Sequence, residues 1–367
     1  MKNRKKIIFY TMAMIRRGTE RTIANLSNYF IKDYDITIIT NINGPVEYEL
    51  DKRIKIIPID KIDRRNEILP LKIITKTSKK RSVELLRIIK EESPDLIITT
   101  LPEPTIRVLA LKRYLKDIPI IVSIRNHPNS EFRSILGKSI RNKYYKNADL
   151  ITVQDSSYIK YLPNILKISV IPNYISDDFT ISNKKLKKEK KIICVASLSK
   201  QKNIPLLINA FSKLDNRFND YKLVLIGSGK EKKKIEKLIR RKNLEYKVKL
   251  KDTSSNVRDE LLSSTLFVLP SNYEGMPNSM LEAMSLSLPV ISTDSTEAIY
   301  SIIDDHVNGI IIPKKDVISL KNSIEYLLDN EGIRTSIGKN ASKIKAKYNK
   351  DKILKLWKKI IKEGLNY

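Results

Sequence analysis

One cysteine, Cys194, stands among 367 residues, so no disulfide can form within the chain. Histidine is almost as scarce. His127 and His306 lie far apart, no Cys/His cluster exists, and a structural zinc site is excluded. No uninterrupted apolar run reaches the roughly 18 residues that a membrane-spanning helix needs. The start, Met1 to Lys6, is basic, but Ile7 to Ile15 is short, broken by Thr11 and followed at once by Arg16-Arg17. It reads as a first strand and its loop rather than a signal peptide. Residence in the cytoplasm is the expectation. Signatures of zinc fingers or RNA-recognition modules are missing, and aromatics do not interleave with the basic runs.

What the chain has in excess is positive charge: 70 Lys and Arg against 41 Asp and Glu, a net charge of +29. Such charge suits nucleic acid, an anionic membrane or an anionic substrate. Lysine, isoleucine and asparagine are all abundant, as AT-rich codons also produce, so charge alone decides no function. Apolar residues at 41% and charged residues at 30% are the balance of a soluble globular protein, and the length allows two domains.

Apolar runs alternate with amphipathic stretches, the pattern of parallel sheets covered by helices on both faces. Strands are expected at Lys6–Met12, Ile36–Thr40, Ile54–Pro58, Leu96–Thr100, Ile118–Ile124, Leu150–Val153 and Ser169–Ile171. Helical stretches are expected at Leu71–Glu92 and Glu131–Lys146. The rhythm stops between Asp177 and Lys191, where Ser182 to Lys191 is polar and strongly basic, and then restarts. Strands are expected again at Ile192–Ala196, Leu223–Ile226, Val248–Leu250, Leu266–Leu269 and Val290–Ser292. Leu207, Ala210, Phe211 and Leu214 share a helical face, as do Ile353, Leu356, Trp357 and Ile360 in the tail. The predicted division is a first α/β domain over 1–178, a basic linker over 179–190, a second α/β domain over 191–345 and a C-terminal helix over 346–367. Ligands of such doubly wound sheets bind beyond the carboxyl ends of the strands, so strand-to-helix loops carry the candidates.

The richest loop lies within Leu269 to Met284. A strand ends, a turn holds Glu274, Gly275, Met276 and Pro277, and a helix opens near Asn278 and Ser279. Its free amides and positive dipole end suit an anion. Glu282 rides on the first turns of that helix, eight positions after Glu274. Two such carboxylates can hold the two ends of one molecule, although an isolated pair would read as surface glutamates.

Tyr273-Glu-Gly-Met-Pro-Asn278 with Glu282-Ala-Met284 resembles the two-glutamate signature of family 4 retaining glycosyltransferases. Ser197-Leu-Ser-Lys-Gln-Lys-Asn203 is similar to the family's donor-phosphate loop, and Leu225-Ile-Gly-Ser-Gly229 to its glycine turn with Gly227. Leu288 to Asp294 and Asn308 to Pro313 fit the segments that follow. Several motifs in the right order are far more specific than any one of them. The first half is less similar. Gly18 matches a glycine loop in which Arg17 departs from the usual second glycine; Ser123-Ile-Arg-Asn-His-Pro128 resembles an acceptor-side loop; Val170-Ile-Pro-Asn173 resembles the end of the first domain.

The resemblance implies the GT-B fold, two Rossmann-like doubly wound domains facing a cleft, with the C-terminal helix crossing back to the first. It implies a nucleotide sugar as donor, UDP-linked in preference, and a glycan or lipid-diphosphate acceptor of bacterial surface polysaccharides. Glu274 would face the donor sugar and Glu282 the ribose hydroxyls. Lys202, with the helix start at Asn278, would take the diphosphate. No metal or other cofactor is expected. Ser197 stands where the family usually has an arginine, which leaves Lys200 as a replacement cation or as a solvated loop lysine. His127 is a candidate to polarise the sugar or orient the acceptor, and Arg125 with Asn126 a candidate acceptor contact. His306 reads as structural. Asp33-Tyr-Asp35 has the form of a metal-binding Asp-x-Asp but sits between a helix and a strand, as a turn does. Between Lys61 and Lys90 ten basic residues face three acids, and Arg141, Lys143 and Lys146 with Tyr144 and Tyr145 extend the basic character. A peripheral site on an anionic inner membrane face would use such a surface; ordinary solvated helices would look the same. Two rivals remain at this point: a nucleotide-sugar epimerase of the same fold, and a basic nucleic-acid-binding protein.

Overall fold

The computed structural model describes residues 4–60, 76–164, 167–180, 186–252 and 256–366. The chain forms two compact units, Met1–Pro172 with Leu354–Tyr367, and Asn173–Ile353.

In the first unit β1 (Lys6–Thr11) leads through α1 (Gly18–Phe30) to β2 (Asp35–Thr40) and β3 (Lys55–Pro58). After α2 (Lys76–Glu92) come β4 (Leu96–Thr100), α3 (Pro102–Ala110), β5 (Ile120–Ser123), the short α4 (Pro128–Glu131) and α5 (Ile135–Tyr145). β6 (Leu150–Val153) and β7 (Ile168–Val170) complete the sheet. Its order is β3-β2-β1-β4-β5-β6-β7 and every pairing is parallel. The central strands are near-continuous isoleucine, leucine and β-branched runs because both faces are covered. Right-handed crossovers place α2, α3 and α5 on one face and α1 on the other. In agreement, α3 touches both α2 and α5.

The second unit begins with α6 (Asp177–Thr180) and β8 (Lys191–Val195), then α7 (Ile204–Phe211), β9 (Lys222–Ile226), α8 (Lys232–Arg241) and β10 (Val248–Lys251). It continues with α9 (Val257–Ser263), β11 (Leu266–Leu269), α10 (Asn278–Ser285), β12 (Val290–Thr293) and β13 (Ile310–Ile312). Three further helices follow: α11 (Val317–Asp329), α12 (Glu331–Ala341) and α13 (Ile344–Lys347). The parallel sheet has the order β10-β9-β8-β11-β12-β13. Alternation along each strand builds two cores: Ile192, Cys194, Leu223, Leu225 and Val268 in one, and Ile193, Val224, Ile226, Phe267 and Leu269 in the other. Burial pushes the Cys194 thiol up to about 12, so it packs as an apolar side chain.

The last helix, α14 (Lys350–Leu365), starts in the second unit and belongs to the first from Leu354 onward. Its buried stripe is Ile353, Leu354, Trp357, Ile360 and Ile361, whereas Leu356 is 39% exposed. The expected face was therefore off by part of a turn: Leu354, not Leu356, completes it. Gly364 sits so close to Leu96 and Ile121 that a Cβ would meet their methyl groups at 3.0 and 3.1 Å.

The units divide after Pro172, earlier than the basic run that suggested a linker. Phe179 packs in the second core and its carbonyl accepts from Ser285 Oγ at 3.0 Å. Residues 181–185 of the expected linker lie outside the described residues, as does the 61–75 part of the basic stretch. Among the described residues no helix is long and apolar enough to cross a membrane.

Candidate active site

The strand order of the second sheet reverses at β8, the point at which ligands of doubly wound sheets bind. Three loops leave the carboxyl ends of the adjacent strands there: 196–203 after β8, 227–231 after β9 and 270–277 after β11. The first two are locked by glycine. Gly227, at φ +157°, lies so near Ala196 that a Cβ would fall 1.9 Å from its carbonyl oxygen. Leu198 N–H donates to Ser228 O at 2.8 Å, and Glu231 N–H returns to Leu198 O at 3.0 Å.

The first and third loops are stitched together by polar side chains. Asn272 N–H donates to Gln201 O at 2.8 Å and Gln201 Nε2 to Tyr273 O at 2.9 Å. Asn272 Nδ2 donates to Lys200 O at 2.8 Å, which fixes the backbone of Lys200 while its side chain stays exposed. Asn203, in the left-handed region at φ +46°, turns the chain into α7 directly after Lys202.

This stitching delivers Lys202 to Glu274. Lys202 Nζ and Ser271 Oγ both donate to Glu274 Oε1, each at 2.5 Å. Glu274 is 4% exposed, and its amide donates to Ser295 O at 3.3 Å. A carboxylate so deeply placed needs charge-assisted partners, and it has an ammonium and a hydroxyl. Thr293 Oγ1 braces the loop from beneath, donating to Ser271 O at 2.5 Å.

Beyond Glu274, Gly275, Met276 and Pro277 are buried and lead into α10. Asn173 anchors this corner: its Nδ2 donates to Met276 O at 3.0 Å. No side chain caps α10, so its first amides keep their hydrogen-bonding capacity and its dipole adds positive potential. Asn278 Oδ1 and Ser295 Oγ are buried without a hydrogen-bond partner among the described residues. Ser279 is half-buried, and Glu282 is 5% exposed on the helix body.

Thus Lys202, Glu274, Gly275 to Ser279 and Glu282 come together around one helix start and two loops. Ser197 is exposed on the first loop, with its hydroxyl 3.3 Å from that of Ser199. Ser271, Gln201, Asn272 and Asn173 lie inside the quoted segments, yet the sequence assigns none of them a role. Their part is to position others, and short polar residues in loops give little sequence signal of that.

The remaining candidates belong to the first unit. Gly18 is exposed at the start of α1. Arg125 is 9% exposed, its Nη1 3.4 Å from Ile171 O, and Asn126 Oδ1 accepts from His127 N–H at 3.1 Å. His127 caps α4: Nδ1 accepts from Asn129 N–H at 3.1 Å, which assigns the proton of the neutral ring to Nε2. Tyr158 and Tyr161 flank the ring at 5.2 and 4.9 Å. Asp33 pairs with Lys358 and Asp35 with Arg4, both at 3.2 Å, so these carboxylates serve the turn. His306 likewise forms a turn at φ +58°, its N–H on Gly309 O.

The sequence pattern described as Glycosyltransferase Family 4 matches residues 16–179, and that described as Glycosyl transferases group 1 matches residues 176–344. An uncharacterized glycosyltransferase of Methanocaldococcus jannaschii is 31% identical over 304 residues, 76% of this chain and 73% of that protein. A Campylobacter jejuni enzyme is 25% identical over 366 residues, 98% of this chain and 99% of its own. It is named GalNAc-alpha-(1->4)-GalNAc-alpha-(1->3)-diNAcBac-PP-undecaprenol alpha-1,4-N-acetyl-D-galactosaminyltransferase. Among solved structures, Anabaena Alr3699/HepE in complex with UDP superposes with a TM-score of 0.80 at 14% identity, covering 98% of this chain and 100% of that one. Two parallel-sheet α/β units of this kind define the GT-B class. Within it, the chain belongs to the glycosyltransferases of group 1 and family 4.

Proposed function

We propose that this glycosyltransferase moves a hexose or N-acetylhexosamine from a nucleotide sugar, UDP-linked in preference, to a glycan or lipid-diphosphate-linked acceptor in bacterial surface polysaccharide synthesis. The observation that carries the proposal is the buried Glu274 held by Lys202 and Ser271 beside the uncapped start of α10. Cleaving a sugar–diphosphate bond builds negative charge on the departing phosphate and positive charge on the anomeric carbon. The α10 amides and Lys202 meet the first, and the carboxylate of Glu274 meets the second. Lys202 is the hinge of this scheme, since its ammonium rests on Glu274 before a diphosphate arrives. Glu282 would accept from the ribose hydroxyls. Front-face displacement, with the leaving phosphate helping to deprotonate the acceptor, gives retention and needs no metal. A donor Nε2–H on His127 suits a sugar hydroxyl or an acceptor oxygen, with Arg125 and Asn126 on the acceptor side.

The Campylobacter relative, whose name carries an undecaprenol-linked sugar chain, supports a lipid-linked acceptor. Peripheral residence on an anionic inner membrane face belongs to the same reading. The test is a panel of nucleotide sugars with and without an undecaprenyl-diphosphate glycan, followed by NMR of the product's anomeric centre. Donor turnover only with acceptor, and retained configuration, are expected. Donor conversion without acceptor would indicate an epimerase instead.

A further inference from the structure

We infer that Ile135 and Leu136 form a tip that inserts into an anionic lipid bilayer, an inference that rests on the membrane-bound reading above. The two stand side by side at the start of α5 and are 90% and 66% exposed. Folding did not leave them out for want of a core. The neighbouring Phe132 is 7% exposed, edge-on to Tyr145, and anchors the same turn from within. Ser134 Oγ accepts from Gly137 N–H at 3.0 Å and holds the turn in shape. The tip is therefore presented on a fixed frame.

Charge says what covers it. From Phe132 to Ala148 there is no acid. Arg133, Lys143 and Lys146 are exposed along this segment, and Tyr144 lies 5.7 Å beneath the Lys143 ammonium. Two exposed apolar side chains beside Arg133, on a helix whose exposed charges are all cations and whose far end adds Lys143, Tyr144 and Lys146, match a bilayer with anionic headgroups better than a second protein surface. Arg141 and Tyr145, expected on this face, are 3% and 2% exposed and support the fold instead. Arg141 Nη2 donates to Tyr161 O at 2.6 Å. Arg81 likewise pairs with Asp60, whereas Lys79 and Lys80 in the same first turns of α2 are exposed.

Topology makes the location useful. In a parallel sheet each helix starts where the preceding strand ends, so the tip lies at the carboxyl edge, in the same β5–α5 connection as Arg125 and His127. Insertion there would hold a lipid-diphosphate acceptor with its headgroup near that loop.

The test is sedimentation with phosphatidylglycerol–phosphatidylcholine vesicles across a salt series. Wild type should bind at low salt and keep a salt-resistant fraction. Ile135→Ser with Leu136→Ser should lower partition by about tenfold or more and abolish that fraction. Both side chains are exposed, so the melting temperature should not move. As a second readout, emission of Leu136→Trp should shift to the blue on vesicles, against the single native Trp357, which is buried. Wild-type binding that the double variant matches would overturn insertion and leave the membrane reading standing. Absence of wild-type binding would overturn both. A vesicle-free dimer that the double variant abolishes would reassign the tip to a second copy of the chain.

Discussion

Glu20 presents a carboxyl group that the fold buries without answering. It lies in the first turn of α1, is fully buried, and neither oxygen finds a side-chain hydrogen-bond partner among the described residues. Burial pushes it up from 4.5 to about 7, against smaller opposing effects of its own amide and of Arg17. The sign is the reverse of a salt-bridged acid. The unfolded chain releases this proton near 4.5, while the folded chain keeps it until about 7. The site's contribution is therefore most favourable below 4.5 and is lost as pH rises through 7. At 1.36 kcal/mol for each pH unit, the loss amounts to about 3 kcal/mol. Glu20→Gln keeps the shape and removes the titration. Its amide is also poorly satisfied, so the informative quantity is how the gap between variant and wild type changes with pH. From pH 4 to pH 8 the gap should move in the variant's favour by about 3 kcal/mol, or roughly 6–12 °C in Tm for a unit of this size. Scanning calorimetry of both proteins at several pH values measures it. A gap that stays constant across the range would refute the reasoning and show that Glu20 has a partner in solution.

Glu274→Gln keeps an acceptor for Ser271 and should fold, while transfer falls by about two orders of magnitude or more; near-normal turnover would remove Glu274 from the mechanism. Lys202→Ala should impair transfer about as severely, seen as a loss of kcat and of donor affinity. Lys200 is exposed and makes no ion pair among the described residues, so Lys200→Ala should cost well under about 1 kcal/mol. A loss matching that of Lys202→Ala, partly rescued by Ser197→Arg, would show that Lys200 has replaced the family's arginine. Transfer should survive EDTA; full loss restored by manganese or magnesium would contradict the metal-free scheme.

Sheets were the easiest part to read, because a parallel strand buried on both faces must be written in apolar residues. Leu96–Thr100, Leu150–Val153 and Leu266–Leu269 stand where their runs predict. Helices with mixed faces were harder. The stripe of α14 differs from the expected one because Leu356 and Leu354 are equally apolar in sequence, and only their burial in the folded chain separates them. The boundary was misplaced for a related reason. A run of lysines looks like a linker, yet Glu189 N–H already donates to Ser263 O at 2.8 Å and the strand that follows begins at Lys191. Charge reports solvent exposure, not which unit a segment belongs to.

The site shows where motif spacing stops being informative. Eight positions between Glu274 and Glu282 place one carboxylate before the helix and the other on it, a consequence of chain geometry. Nothing in that spacing says that Lys202, seventy-two positions earlier, will rest on Glu274. That contact depends on Asn272 and Gln201 joining two loops, and on Gly227 letting a third loop press against the first. A pair set by three loops is sensitive to small changes in any of them. A Gly227→Ala chain would have to move Ala196 O away from the new methyl, and the shift would pass along the loop to Lys202 before it reached Glu274. The motif glycine thus acts on the carboxylate through the lysine. Its substitution should weaken donor binding even though glycine itself offers the donor no side chain.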